Sequence, residues 1–195
     1  MLKIKNVVDC AFRLAESALT RVTQFADLYT GYYQHMIRDE SSMARISSST
    51  SVLHIGCGAI PNTAVTLARL TEAKVIAVDN DPDAVKKAIC YVKQVHMQKH
   101  VHIKTGDGMA YPVRNFGVII ISLGVEPIEK VLRHIAISAD PNTKIIYRQT
   151  RYGKHTPIPR DIFVVKHRVK HHMFRIFSFT EALLLVKRDV SEKNI

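Results

Sequence analysis

Two glycines and a carboxylate are the residues whose types and spacing could most plainly do chemistry. Gly56 and Gly58 stand in Val52-Leu53-His54-Ile55-Gly56-Cys57-Gly58-Ala59-Ile60-Pro61, and Asp79 follows 18 residues after Pro61. Glycine lets backbone come close to a ligand, and the mouth of a following helix offers N–H groups without intrahelical partners. An ionised Asp only accepts hydrogen bonds and presents two oxygens, so at the end of a second strand it can take both ribose hydroxyls of an adenosine-containing compound. What is missing narrows the choice. The third glycine of a dinucleotide loop is replaced by Pro61, and a Walker lysine is absent, so pyrophosphates and nucleoside triphosphates are disfavoured. A nucleoside without phosphates remains.

Such residues must be held by a strand, a tight loop, a helix and a second strand, and the pattern predicts them. Short apolar strands at Val52 to Ile55, Lys74 to Val78, His102 to Lys104, Val118 to Ser122 and Lys144 to Gln149 alternate with helices opening near Pro61, Asp81 and Pro127. That order makes an α/β, doubly wound, mainly parallel sheet covered on both faces. Two further strands, Ile162 to Lys170 and Ile176 to Lys187, are expected to close it as a hairpin, giving seven. Before the serine cluster Ser47 to Ser51, apolar residues from Ile4 to Ala26 recur at helical steps, and Gly31 is expected to interrupt the helix. Residues 1–46 thus read as a helical cap and 47–195 as the ligand-binding sheet domain.

At this point the residues resemble the class I S-adenosylmethionine (SAM) methyltransferases, over about residues 50 to 188. The resemblance implies that the Gly56, Cys57, Gly58 loop lies against the amino-acid arm of SAM. It implies that Asp79, beside Asn80, holds the ribose, and that Asp107, beside Gly108, faces the adenine amino group. Ser122, ending strand four where open α/β sheets place ligands, is expected to border the reacting centre. Ile60 stands where the family's last glycine is usual. That departure, with Glu126-Pro127 and Lys144-Ile145-Ile146-Tyr147-Arg148, is similar to the nicotianamine synthases, which share the fold and transfer the aminocarboxypropyl arm of SAM. The second resemblance matches Tyr33 and Glu40 to that family's tyrosine and acid ahead of the glycine loop, implying a catalytic role for both. The family's longer N-terminal bundle is represented by only about 46 residues here, so a second copy of the chain completing the cap is a further expectation.

Composition sets the outer limits. At 195 residues, 47% hydrophobic and 23% charged, the chain suits one globular domain. The longest apolar runs, Val118 to Ile121 and Ala182 to Val186, fall far short of the roughly 20 residues of a membrane span. Three scattered cysteines suit a reducing compartment, so a cytoplasmic location without membrane contact is expected. The net charge of +11 is concentrated late: residues 144 to 188 hold 11 Lys and Arg against Asp161 and Glu181. An anionic partner should therefore meet that part first. A small-molecule acceptor, with Arg148 and Arg151 at hand for a carboxylate or phosphate, is preferred over nucleic acid. In Lys166 to His172 the flanking cations oppose metal binding, and no metal is expected. If that stretch is a regular strand, His167 and His171 share a face with Val165 and Val169, opposite Lys166, Arg168, Lys170 and His172.

Overall fold

The computed structural model describes residues 23–150, 158–159, 161–173 and 177–188; the helical stripe expected before residue 23, and Arg151, lie outside them. The chain forms α1 (Thr23–Ala44), β1 (Ser51–Ile55), α2 (Asn62–Thr71), β2 (Lys74–Asp79), α3 (Pro82–Gln94), β3 (Val101–Thr105), β4 (Val118–Ile121), α4 (Ile128–Ser138), β5 (Lys144–Thr150), β6 (Phe163–Met173) and β7 (Phe177–Lys187). The seven strands make one sheet in the order β3-β2-β1-β4-β5-β7-β6. β1 to β5 run parallel, and β7 lies antiparallel between β5 and β6. Because β1 leads outward to β2 on one side and pairs with β4 on the other, the order of strands reverses between β1 and β4. A crevice opens at the carboxyl end of such a reversal.

Burial explains the register. β4 is Val118, Ile119, Ile120 and Ile121, all buried, as a central strand packed on both faces must be. Val52, Ile120, Ile146 and Leu184 meet α1, α2 and α3 on one face, while Leu53, Ile119, Ile121 and Leu185 meet α4 on the other. Asp81 caps α3 by accepting from the Asp83 N–H at 2.9 Å, with Pro82 in the first turn. Among the described side chains of α1, the buried ones, namely Met36, Ile37, Glu40, Ser41 and Ala44, follow the 3.6-residue period. The ammonium of Lys144 donates to the Ala44 carbonyl at 2.8 Å, tying the end of α1 to β5.

Two expectations are corrected. Gly31 does not interrupt α1, which runs unbroken through it. A single interior glycine costs a helix only about 1 kcal/mol, and the buried stripe that follows anchors this one. Nor is β6 regular. Val165 pairs with Leu185 but His167 pairs with Leu184, so Lys166 is an extra residue in a bulge. That residue turns the alternation over: Val165 shares the face of Leu185, whereas His167 and Val169 share the face of Leu184 and Ala182. Arg168 and Lys170 then stand on the same side of the sheet as Val165.

Candidate functional site

The crevice at the β1/β4 reversal is a cleft of about 370 Å³. Its walls come from the loop after β1 (Gly56, Cys57, Gly58, Ile60), from Asp79 and Asn80 after β2, and from Gly106, Asp107 and Gly108 after β3. Further walls are Ser122 to Glu126 after β4, Arg148 on β5, Thr180 on β7, and Met36 of α1. All eight cofactor residues expected from the sequence therefore meet at one place, although they are spread over 67 positions of chain. Parallel strands deliver them there, because every βα loop leaves the same edge of the sheet.

Local chemistry shapes each wall. Gly56 and Gly58 have φ of +78° and +66°, values that favour glycine. A Cβ on Gly56 would also come within 2.5 Å of Val125 Cγ2, so the loop after β4 closes directly against this bend. The N–H groups of Gly56 and Cys57 both donate to the Val78 carbonyl, at 2.8 and 3.0 Å. The Gly58 N–H donates to Asp79 Oδ2 at 2.7 Å. The bend thus offers close approach rather than free donors, since three successive N–H groups are spent on β2 and its terminal carboxylate. Asp79 Oδ1 accepts from the Asp81 N–H at 3.1 Å. An ionised carboxylate has about four acceptor sites, so with one of these bonds on each oxygen it retains a free site on each. Asp107 is exposed, and its Oδ1 accepts from the Met109 N–H at 2.9 Å, which fixes the turn at Gly108.

Beneath α1 lies a polar cluster that sequence reasoning did not assemble. Arg148 Nε and Nη2 donate to the two oxygens of Glu40 at 2.8 and 2.7 Å, and Nη1 donates to Thr63 Oγ1 at 2.9 Å. Both ends of the pair are buried, Glu40 to 1% exposure. Arg148 is therefore committed within the protein, not held out for an anionic ligand as expected. Glu40 does not line the cleft; it reaches that space through Arg148. Tyr33 lies on α1 two turns before Glu40, and its side chain lies outside the described residues.

His54 completes the cluster from β1. Its Nε2 lies 2.7 Å from Ser122 Oγ. Burial first, and then the charge of Arg148, lower its pKa to about 3, with Glu40 opposing. The sign of the pH effect follows. Below about pH 6.5 the unfolded chain takes up a proton that the folded ring refuses until about pH 3, so stability is lost as pH falls through that window. At pH 5 this residue should cost about 2 kcal/mol relative to pH 8. Urea unfolding at the two pH values checks it: His54→Leu should lose about that much less on acidification, and an unchanged loss would show that another group takes up the proton.

A point mutant of MtNAS in complex with S-adenosylmethionine superimposes with a TM-score of 0.73 at 21% identity, over 82% of this chain and 63% of that one. MtNAS in complex with MTA and tNA gives 0.72 at 22%, over 90% and 69%. An RNA methyltransferase from Salinibacter ruber in complex with S-adenosyl-L-homocysteine gives 0.63 at 15%, over 80% and 92%. These likenesses are of fold, and the chain spans less than two thirds of the length of the first. A search of curated protein sequences finds no match. The sequence profile of protein-L-isoaspartate(D-aspartate) O-methyltransferase matches residues 26–133, which is more than half of the chain and includes the glycine bend, Asp79, Asp107 and Ser122. The chain accordingly belongs to the protein-L-isoaspartate(D-aspartate) O-methyltransferase family, within the SAM-dependent class I methyltransferase fold.

Proposed function

We propose that this protein is a SAM-dependent transferase acting on a small molecule. The observation that carries the reading is the Asp79 carboxylate. It sits half-buried at the cleft, held by the Gly58 and Asp81 N–H groups, with an acceptor site left on each oxygen for a pair of ribose hydroxyls. Gly56 to Gly58 would carry the amino-acid end, and the exposed Asp107 would accept from the adenine amino group. A volume of about 370 Å³ suits a nucleoside and a small acceptor. When bound, SAM supplies carbons already activated by its sulfonium, so no covalent protein nucleophile is required. The chain's own part is to orient and to exclude water. The loop after β4, seated against Gly56, fixes one wall, and the Glu40–Arg148 pair holds α1 over another. In this reading Glu40 acts on the site by holding Arg148, and Tyr33 is the candidate substrate contact on α1.

A second reading is transfer of the aminocarboxypropyl arm. It is favoured by Ile60, which lines the cleft where a methyltransferase loop usually has its last glycine, and by the likeness to MtNAS. Nucleoside analysis separates the two: incubation with SAM and a small-molecule extract is expected to leave S-adenosylhomocysteine for methyl transfer and methylthioadenosine for the arm. SAM binding without either product would instead support a sensing or RNA-docking module. For RNA, the exposed Lys166, Lys170 and Arg168 of β6 would provide the contact, and affinity would fall steeply with salt.

A further inference from the structure

His54 and Ser122 form a pair that the proposed function leaves unused. Ser122, the first residue beyond β4, lines the cleft, and its N–H is fixed by donating to the Ile55 carbonyl at 3.0 Å. His54 is buried, with Nε2 2.7 Å from Ser122 Oγ. Its other nitrogen, Nδ1, is the one fully buried side-chain polar atom without a hydrogen-bond partner among the described residues. The ring is neutral at physiological pH, so it has one proton for two nitrogens. Placed on Nδ1, that proton would be a buried donor with no acceptor, the rarer and costlier kind of orphan. Placed on Nε2, it is donated to Ser122 Oγ. The hydroxyl then accepts from behind and keeps its own proton for something in front.

What stands in front is the glycine bend. A Cβ on Gly56 would lie 3.4 Å from Ser122 Cβ and both residues line the cleft, so a ligand lying on that bend is beside the serine. Of the groups on an amino-acid arm, an ammonium donates and a sulfonium cannot accept a hydrogen bond; the carboxylate is the acceptor. We propose that His54, acting through Ser122, positions a hydroxyl donor for the carboxylate of the ligand's amino-acid arm, so that the pair distinguishes arm-bearing nucleosides from those that lack the arm. The inference rests on the SAM reading above. Ser122 is the contact, and His54, which borders the same cleft but is buried, is a positioning residue for it.

Calorimetric titration of the full chain with S-adenosylhomocysteine and with methylthioadenosine tests this, because the two differ by the arm. Ser122→Ala should weaken the first about tenfold or more and leave the second within about twofold. His54→Leu should match Ser122→Ala, and the double variant should be no worse than either alone, as expected of one coupled unit. His54→Gln, which can restore an N–H near the position of Nε2, should recover most of the loss. In protein with isotope-labelled histidine, the magnetic resonance of the His54 ring should show the proton on Nε2 at neutral pH. A proton on Nδ1, or equal weakening of both nucleosides, would overturn the proposal, as would unchanged binding in Ser122→Ala. If the unaltered protein binds neither nucleoside, the cofactor reading itself fails and takes this inference with it.

Discussion

Asp79→Ala is expected to weaken SAM binding by about two to four orders of magnitude, measured by calorimetry, while leaving the circular dichroism spectrum unchanged. The size comes from two charge-assisted hydrogen bonds to ribose hydroxyls, each worth about 1.5 to 3 kcal/mol. Loss of the anchor that holds the Gly58 N–H at 2.7 Å adds to it, because the bend loses its fixed shape. Asp79→Asn separates the contributions. Asn retains one acceptor oxygen for the Gly58 N–H but cannot accept through its amide nitrogen, so it should recover the bend and only part of the ribose contact. Its affinity should fall between those of the alanine variant and the unaltered protein. Affinity unchanged in Asp79→Ala would remove the ribose assignment, and with it the strongest support for a nucleoside ligand.

Breaking the Glu40–Arg148 pair is expected to have the largest effect on stability. Both side chains are buried, at 1% and 6% exposure, and joined by two bonds of 2.7 and 2.8 Å. Charges so placed have given up water, and removing one leaves the other uncompensated at a cost of about 3 to 5 kcal/mol. Glu40→Leu or Arg148→Met alone should therefore lower the free energy of urea unfolding by that amount. The double variant should recover most of it, since two apolar residues leave no orphaned charge. Glu40→Gln, which keeps an acceptor oxygen for Arg148, separates a positioning role from a chemical one: if the acid serves to position Arg148, turnover should fall only in step with stability, whereas a direct chemical role would abolish turnover in protein that is still folded.

Much of this was legible from the chain because α/β folds write their positions into local sequence. A buried parallel strand needs a continuous apolar run, as Val118 to Ile121 provides, and the loop that follows must leave by the same edge. Gly56, Gly58 and Asp79 could be placed together from spacing alone because one β-loop-α-β unit carries them all. The arginine inside Lys144-Ile145-Ile146-Tyr147-Arg148 was a signal of another kind. A charge that directly follows an apolar run within a buried strand requires a buried partner, but sequence cannot say which acid supplies it.

Tertiary structure alone decided what lies across long separations. Glu40 and Arg148 meet because α1 crosses the sheet above β5, a docking set by side-chain packing and the Lys144 contact rather than by spacing. His54 and Ser122 meet because β1 and β4 are neighbours in a sheet whose order departs from chain order. The bulge at Lys166 arises from pairing with β7, and a single extra residue there reversed an alternation that the sequence by itself presented as regular. Local propensity and periodicity determined the elements and the glycine-loop site; which buried polar groups satisfy one another depended on how those elements packed, because such partners are chosen by proximity in space.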